Sequence, residues 1–177
     1  MSILSDAKEK WTGAIGTLTI GATKEEGGTR TSTVTVGGSA TLPFMRFEGA
    51  VTRRPAVAIE VWDTPPDDWP APLADAWGDA MKTPADWARK AVEEFGADLI
   101  CVKLAGTHPD FGNKTPEQEA KLISQLLKIV DVPLIIVGCG DDGKDNTVLP
   151  VCCEAAKGER CLIGSAVQDN YKTITAS

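Results

Sequence analysis

Hydrophobic and polar positions change their pattern near residue 55. Upstream, TLTIGATKEEGGTRTSTVTVGG sets two short runs rich in Thr, Val and Ile around a polar, glycine-containing stretch. β-Branched residues suit a pleated surface, and Gly27 and Gly28 permit positive φ. The segment therefore predicts a β-hairpin over 17–37 with its turn at those glycines. SATLPFMRFEGAVTRRP, with Pro43, reads as a loop. Downstream, apolar strand-like runs alternate with amphipathic ones. PAVAIEVWD (55–63) is a strand ending in an acid, and a loop with Pro65, Pro66, Pro70 and Pro72 around Trp69 follows. TPADWARKAVEEFGAD predicts a helix with Thr83 as N-cap, Pro84 at its first position and Gly96 as its stop. Trp87, Ala88, Ala91, Val92 and Phe95 fall on one face of it.

The alternation continues. DLICVKLAG (98–106) is a second strand, and TPEQEAKLISQLLKIVD a helix capped by Thr115 with Pro116 in its first turn. Its apolar stripe runs through Leu122, Ile123, Leu126, Leu127 and Val130. VPLIIVGCG is the third strand, NTVLPVCCEAAKGE a third helix interrupted by Pro150, CLIGSA a fourth strand, and QDNYKTITAS opens another helix. Near-continuous apolar strands separated by helices indicate a parallel sheet covered on both faces. The fold class expected is α/β: one domain over 1–177, with an N-terminal β-hairpin and about four βα units of a TIM-barrel-like fold, a half-barrel, over 55–177. A closed barrel needs eight such units, typically in about 250 residues. A half-barrel leaves open edges, which favours self-association or docking with another subunit.

Composition narrows the classes. A net charge of −7 disfavours phosphate backbones, so no nucleic acid is expected as a partner. No apolar run reaches the ~20 residues of a membrane helix, and MSILSDAKEKWTG lacks the basic-then-apolar pattern of a secretion signal. Five cysteines, an odd number without regular spacing, read as reduced thiols in a cytoplasmic protein.

In parallel α/β folds ligands meet the carboxyl ends of strands. That rule selects Glu60, Asp63, Lys103, Gly106, His108, residues 138–142 and residues 164–170. Asp63 could bind a ring nitrogen or equally cap its loop. Lys103 faces either a barrel mouth or an ion pair. VGCGDDGKD could offer backbone N–H groups to an anion. It matches no phosphate-loop pattern, however, and Asp141 and Asp142 would repel phosphate, so a tight βα turn is favoured. His108 is the only histidine, so a histidine triad or metal site is poorly supplied. Adjacent Cys152 and Cys153, with no CxxC pair, argue against an intrinsic iron–sulfur cluster or zinc site. Trp11, Trp62, Trp69, Trp77 and Trp87 cluster early; a Trp- and Pro-rich loop could cover a flat ligand or a partner, and Trp87 reads as core.

IGATKEEGGTRTSTVTVGGSATLPFMRFEG, AIEVWD, GADLICVKLAGTHPD, VPLIIVGCGDDGKD and GSAVQDNYKT together resemble the small (delta) subunit of the corrinoid/iron–sulfur protein of the CO dehydrogenase/acetyl-CoA synthase system. The resemblance covers most of the chain, although the family's chain runs well beyond Ser177. It implies a TIM-barrel subunit that pairs with a large subunit carrying the corrinoid and a four-iron–four-sulfur cluster. Through a methyltransferase, the cobalt takes a methyl group from a methyl-tetrahydropterin and delivers it to acetyl-CoA synthase, in the Wood–Ljungdahl pathway. On this resemblance the corrinoid-contacting candidates are Asp63, Gly138, Cys139, Gly140, Gly164, Gln168, Asp169, Asn170 and Tyr171. No catalytic residue and no protein metal ligand is expected. Two alternatives stand beside it: a truncated paralogue serving as an assembly module, and a stand-alone pterin-binding, methyltransferase-like protein.

Overall fold

The computed structural model describes residues 13–42, 49, 51 and 53–176. Trp11 and, within SATLPFMRFEGAVTRRP, residues 43–48, 50 and 52 lie outside the described residues. The chain divides into two compact units. One takes in Met1–Thr19 and Thr35–Ala56, the other Ile20–Val34 and Val57–Ser177.

β1 (Thr17–Ile20) pairs with β2 (Val34–Gly37). The pairing is antiparallel: Ile15 N–H donates to Ser39 O, and the Thr19 and Thr35 hydroxyls meet at 2.9 Å. The hairpin is there, but its connection is not the tight turn expected at Gly27 and Gly28. Residues 21–33 form a long connection with a 3₁₀ turn at Lys24–Glu26. Gly27 ends that turn at φ 91°. Gly28 is needed for close approach, because a Cβ there would lie 2.2 Å from Ala22 O.

The larger unit is a four-stranded parallel sheet in the order β3 (Ala58–Trp62), β4 (Leu99–Lys103), β5 (Leu134–Val137) and β6 (Leu162–Gly164). The helices are α1 (Ala71–Trp77), α2 (Pro84–Glu93), α3 (Pro116–Ile129), α4 (Asp142–Ala155) and α5 (Tyr171–Thr175). α2 and α3 start where the caps predicted: Thr83 accepts from Asp86 N–H, and Thr115 and Gln118 form a reciprocal capping box.

Strand pairing aligns Glu60, Cys101, Ile135 and Leu162 in one row, and Trp62, Lys103, Val137 and Gly164 in the next row on the same face. Alternate positions, Val61, Ile100, Val102, Leu134 and Ile136, are buried against Trp87, Ala88, Ala91, Ile123, Leu126, Val148 and Leu149 of the helices. Among the described residues the helices thus cover one face, not both as the continuous apolar runs suggested. The opposite row stays half-buried or exposed, with Leu162 at 38 %. Sequential parallel order with one covered face is a half-barrel-like arrangement.

Three further expectations fail locally. Phe95 is largely exposed and stacks on Trp77 instead of joining the buried face of α2. The proline-rich loop contains α1, because Pro70 precedes the helix and Pro72 lies in its first turn, where no N–H is required. α4 begins at Asp142, four residues before the predicted NTVLPVCCEAAKGE segment, and carries Pro150 internally.

The segment 20–34 closes the amino-terminal side of the sheet through Arg30, which is buried. Its Nε donates to Glu159 Oε2 at 2.9 Å, and Nη1 donates to Val130 O at 2.5 Å and Val132 O at 3.3 Å. Nη2 donates to Leu127 O. Glu159 also accepts from Thr29 N–H and Oγ1. These carbonyls lie just ahead of β5, so one guanidinium ties strand starts to a distant loop.

Candidate functional site at the carboxyl rim

The carboxyl ends of β3–β6 bring the predicted positions to one rim. Asp63 N–H donates to Lys103 O, Leu104 N–H to Val137 O, and Gly138 N–H to Gly164 O. Each strand end is thereby tied to its neighbour.

Asp63 is fully engaged. Its side chain has no exposed surface and accepts from Gly106 N–H at 2.8 and 3.0 Å. Lys114 Nζ donates to Asp63 O at 2.8 Å and to Oδ2 at 3.0 Å. The acid therefore positions the loop from Gly106 to Lys114 and does not face outward. Behind Lys114, at 3.7 Å, stands Glu119 of α3, 1 % exposed, with Oε2 lacking any hydrogen-bond partner. Burial, and then the nearby Asp63 carboxylate, push the Glu119 carboxyl up to about 7 against the pull of Lys114.

Asp145 does the same work at the next strand end. Its carboxylate accepts from Cys139 N–H at 2.8 Å and Gly140 N–H at 3.0 Å, and from Cys139 Sγ at 3.3 Å. The turn reading of VGCGDDGKD is the one the structure has, with Asp141 as N-cap of α4. The N–H groups that could have held a bound phosphate already hold this carboxylate. Gly138 is obligatory there, since a Cβ would sit 2.3 Å from Asp145.

Asn170, 1 % exposed, accepts from Val167 N–H at 2.7 Å and donates to Ser165 O at 3.4 Å, which sets the β6–α5 loop. Gln168 and Asp169 are exposed, and Tyr171 is 46 % exposed beside Val167 at 41 %. Gly164 and Cys139 are half-buried, and Gly140 is exposed. The candidates thus separate into supports (Asp63, Asn170, Gly138) and groups able to meet a ligand (Gln168, Asp169, Tyr171, Gly164, Gly140 and Cys139).

Beside them, at the ends of β3, β4 and β5, lies a cleft of about 410 Å³ lined by Trp62, Pro65, Lys103, Phe111 and Cys139 among others. Trp62 Nε1 donates to Glu60 Oε1 at 2.5 Å, and its ring meets Trp69 edge-on at 6.1 Å. Burial pushes the thiols up, Cys101 and Cys161 to about 11 and Cys152 to about 12, so none is a thiolate at neutral pH. Among the described residues no group of three or more His, Cys, Asp or Glu side chains is placed to hold a metal ion, and no helix is long and apolar enough to cross a membrane.

A family model described as CdhD, CO dehydrogenase/acetyl-CoA synthase delta subunit, matches residues 18–177. The chain belongs to this delta-subunit family. The acetyl-CoA decarbonylase/synthase complex subunit delta of Methanocaldococcus jannaschii is 41 % identical over 167 residues, which are 94 % of this chain and 40 % of that protein. Its counterpart in Methanothermobacter thermautotrophicus is 46 % identical over 148 residues, covering 83 % of this chain and 37 % of the relative. For Archaeoglobus fulgidus the values are 39 % over 166 residues, 92 % and 36 %. The chain spans about two fifths of the length of these delta subunits. Sequence reasoning placed the family; at the rim it missed Lys114, Glu119 and Asp145. Glu119 left a signal, because it stands in phase with Ile123 and Leu126 on the buried stripe of α3.

Proposed function

We propose that the chain serves as part of the small subunit of a corrinoid/iron–sulfur protein, helping to cradle a corrinoid during methyl transfer from a methyl-tetrahydropterin to acetyl-CoA synthase. Its four βα units would form half of a TIM barrel. The partners on this reading are a corrinoid- and cluster-bearing large subunit, a methyltransferase and acetyl-CoA synthase. The observation that carries it is family membership over residues 18–177.

The rim suits the edge of a flat macrocycle. Gln168 offers an amide donor and acceptor, the Tyr171 hydroxyl a second donor, and the Val167 and Tyr171 side chains apolar surface. Asn170 fixes the loop that carries them. Cys139 stays protonated, since burial raises its thiol, and so does not compete for cobalt as a thiolate. The corrinoid, when bound, supplies the cobalt that takes up and hands on the methyl group; this chain's residues orient it and limit water at its edge.

The test is reconstitution with a corrinoid-bearing large subunit, followed by size-exclusion chromatography and the cobalt absorption spectrum. Co-elution with a spectral change that weakens at least fivefold in a Gln168→Ala/Tyr171→Ala variant supports the reading. Absence of a complex at micromolar concentration refutes it.

A further inference from the structure

Lys103 is half-buried and lines the 410 Å³ cleft, and its ammonium has neither hydrogen bond nor ion pair among the described residues. Partly buried lysines ordinarily find an acceptor. The nearest acid on its own face, Glu60, is bonded to the Trp62 indole. In the sheet Lys103 pairs directly with Trp62, so cation and indole stand side by side. The walls are flat and apolar: Trp62, Pro65 and Phe111, the last 70 % exposed beside His108 at 5.3 Å. Two exposed carboxylates, Asp67 and Asp68, line the mouth.

The walls are also held in place. Trp62 is fixed through Glu60 and Trp69. The loop bearing Phe111 is anchored at both ends, Gly106 N–H on Asp63 and Lys114 on the same residue, and Lys144 Nζ reaches Asn113 Oδ1 at 2.6 Å. A rigid, largely apolar cleft of this size with a few converging polar groups has the form of a small-molecule site. Flat walls select a planar ring. The unpaired ammonium asks for an acceptor oxygen, while the carboxylates at the mouth repel an anion and accept from N–H donors.

We propose that this cleft binds a neutral planar ring bearing a carbonyl on one edge and N–H groups on the other, with Lys103 donating to the carbonyl and Asp67 or Asp68 accepting at the mouth. The cleft borders the corrinoid contact proposed above and shares Cys139 with it, but it is read and tested without corrinoid, so failure of either reading leaves the other standing.

Calorimetry of the full chain with quinazoline-2,4-dione tests it, with 2-naphthoate and 2-naphthylmethylammonium as anionic and cationic rings of similar size. The dione is expected to bind at submillimolar concentration and more tightly than either charged ring. Lys103→Met should weaken it about tenfold or more, as loss of one charge-assisted hydrogen bond would, and Lys103→Gln less. Urea midpoints and circular dichroism establish that both variants are folded, and Trp62→Phe provides a second variant expected to weaken binding. No binding at millimolar dione, preference for naphthoate, or equal affinity in folded Lys103→Met overturns the proposal.

Discussion

Glu119 offers the sharpest test of the electrostatics under the rim. Its carboxyl is buried, has one oxygen without a partner, and is raised from 4.5 to about 7. Between those values the unfolded chain ionises this carboxyl while the folded chain keeps it protonated. The unfolded state therefore binds fewer protons, and stability falls as pH rises through this window. The contribution is fully present below about 4.5 and lost by the time the pH has passed about 7. At about 1.4 kcal/mol per pH unit, the loss is on the order of 3 kcal/mol. Glu119→Gln replaces the protonated acid with a neutral near-isostere that cannot titrate. Urea unfolding of both proteins from pH 4.5 to 8.5 isolates the effect, since other carboxylates cancel in the difference. The wild-type chain should lose stability relative to Glu119→Gln as pH rises, most steeply between 5 and 7. A difference that stays flat, or runs the other way, would show that Glu119 is ionised in the folded protein and that the Asp63–Lys114–Glu119 cluster carries two negative charges at neutral pH.

Gly138→Ala should cost at least about 2 kcal/mol in urea unfolding, because its Cβ displaces the Asp145 carboxylate from the Cys139 and Gly140 amides. Adding Asp145→Ala should cost much less than it does alone, and simple additivity would disprove the coupling. Arg30→Met strands a buried Glu159 and three main-chain carbonyls, with an expected loss of roughly 3–5 kcal/mol; a loss below 1 kcal/mol would mean the strap is not closed in solution. Alkylation by iodoacetamide at pH 8, read by peptide mass spectrometry, should be at least tenfold slower at Cys101 and Cys161 in the folded chain than in urea, since few of these thiols are ionised. Equal rates would contradict their burial.

Local signals carried the elements they govern. Thr83–Pro84 and Thr115–Pro116 marked two helix starts because an N-cap acts within one turn, and Trp87 fell in phase with Ala88 and Ala91. Where one residue type serves two purposes, the reading failed. Pro70 and Pro72 looked like loop residues but stand at a helix entrance, and the acidic glycine stretch before Asn146 already contains the first turn of α4. The covered faces of the sheet were misjudged because half-buried Cys101, Ile135 and Val137 are as apolar as their buried neighbours. The pattern rule pointed to the carboxyl ends of the strands, and no local pattern could reveal what Asp63 does there. Its partners Gly106 and Lys114 come from another βα unit, and whether a strand-end acid faces a ligand or its own backbone depends on such distant groups. Asp145 lay within the quoted motif, yet its inward turn follows from the helix starting early.

The link between Arg30 and Glu159 spans 129 residues of chain. A ribosome adds roughly 5–20 residues per second, so the arginine waits on the order of ten seconds for its acid to be made. For most of that interval, until residues 127–132 are made, the segment 20–34 lacks its main-chain acceptors as well, while α2 can already pack on β3 and β4 from nearby sequence. The order of assembly is thus written into the strap: the earliest-synthesised part of the unit is among the last to settle, and a nascent chain halted before residue 127 would carry that segment loose.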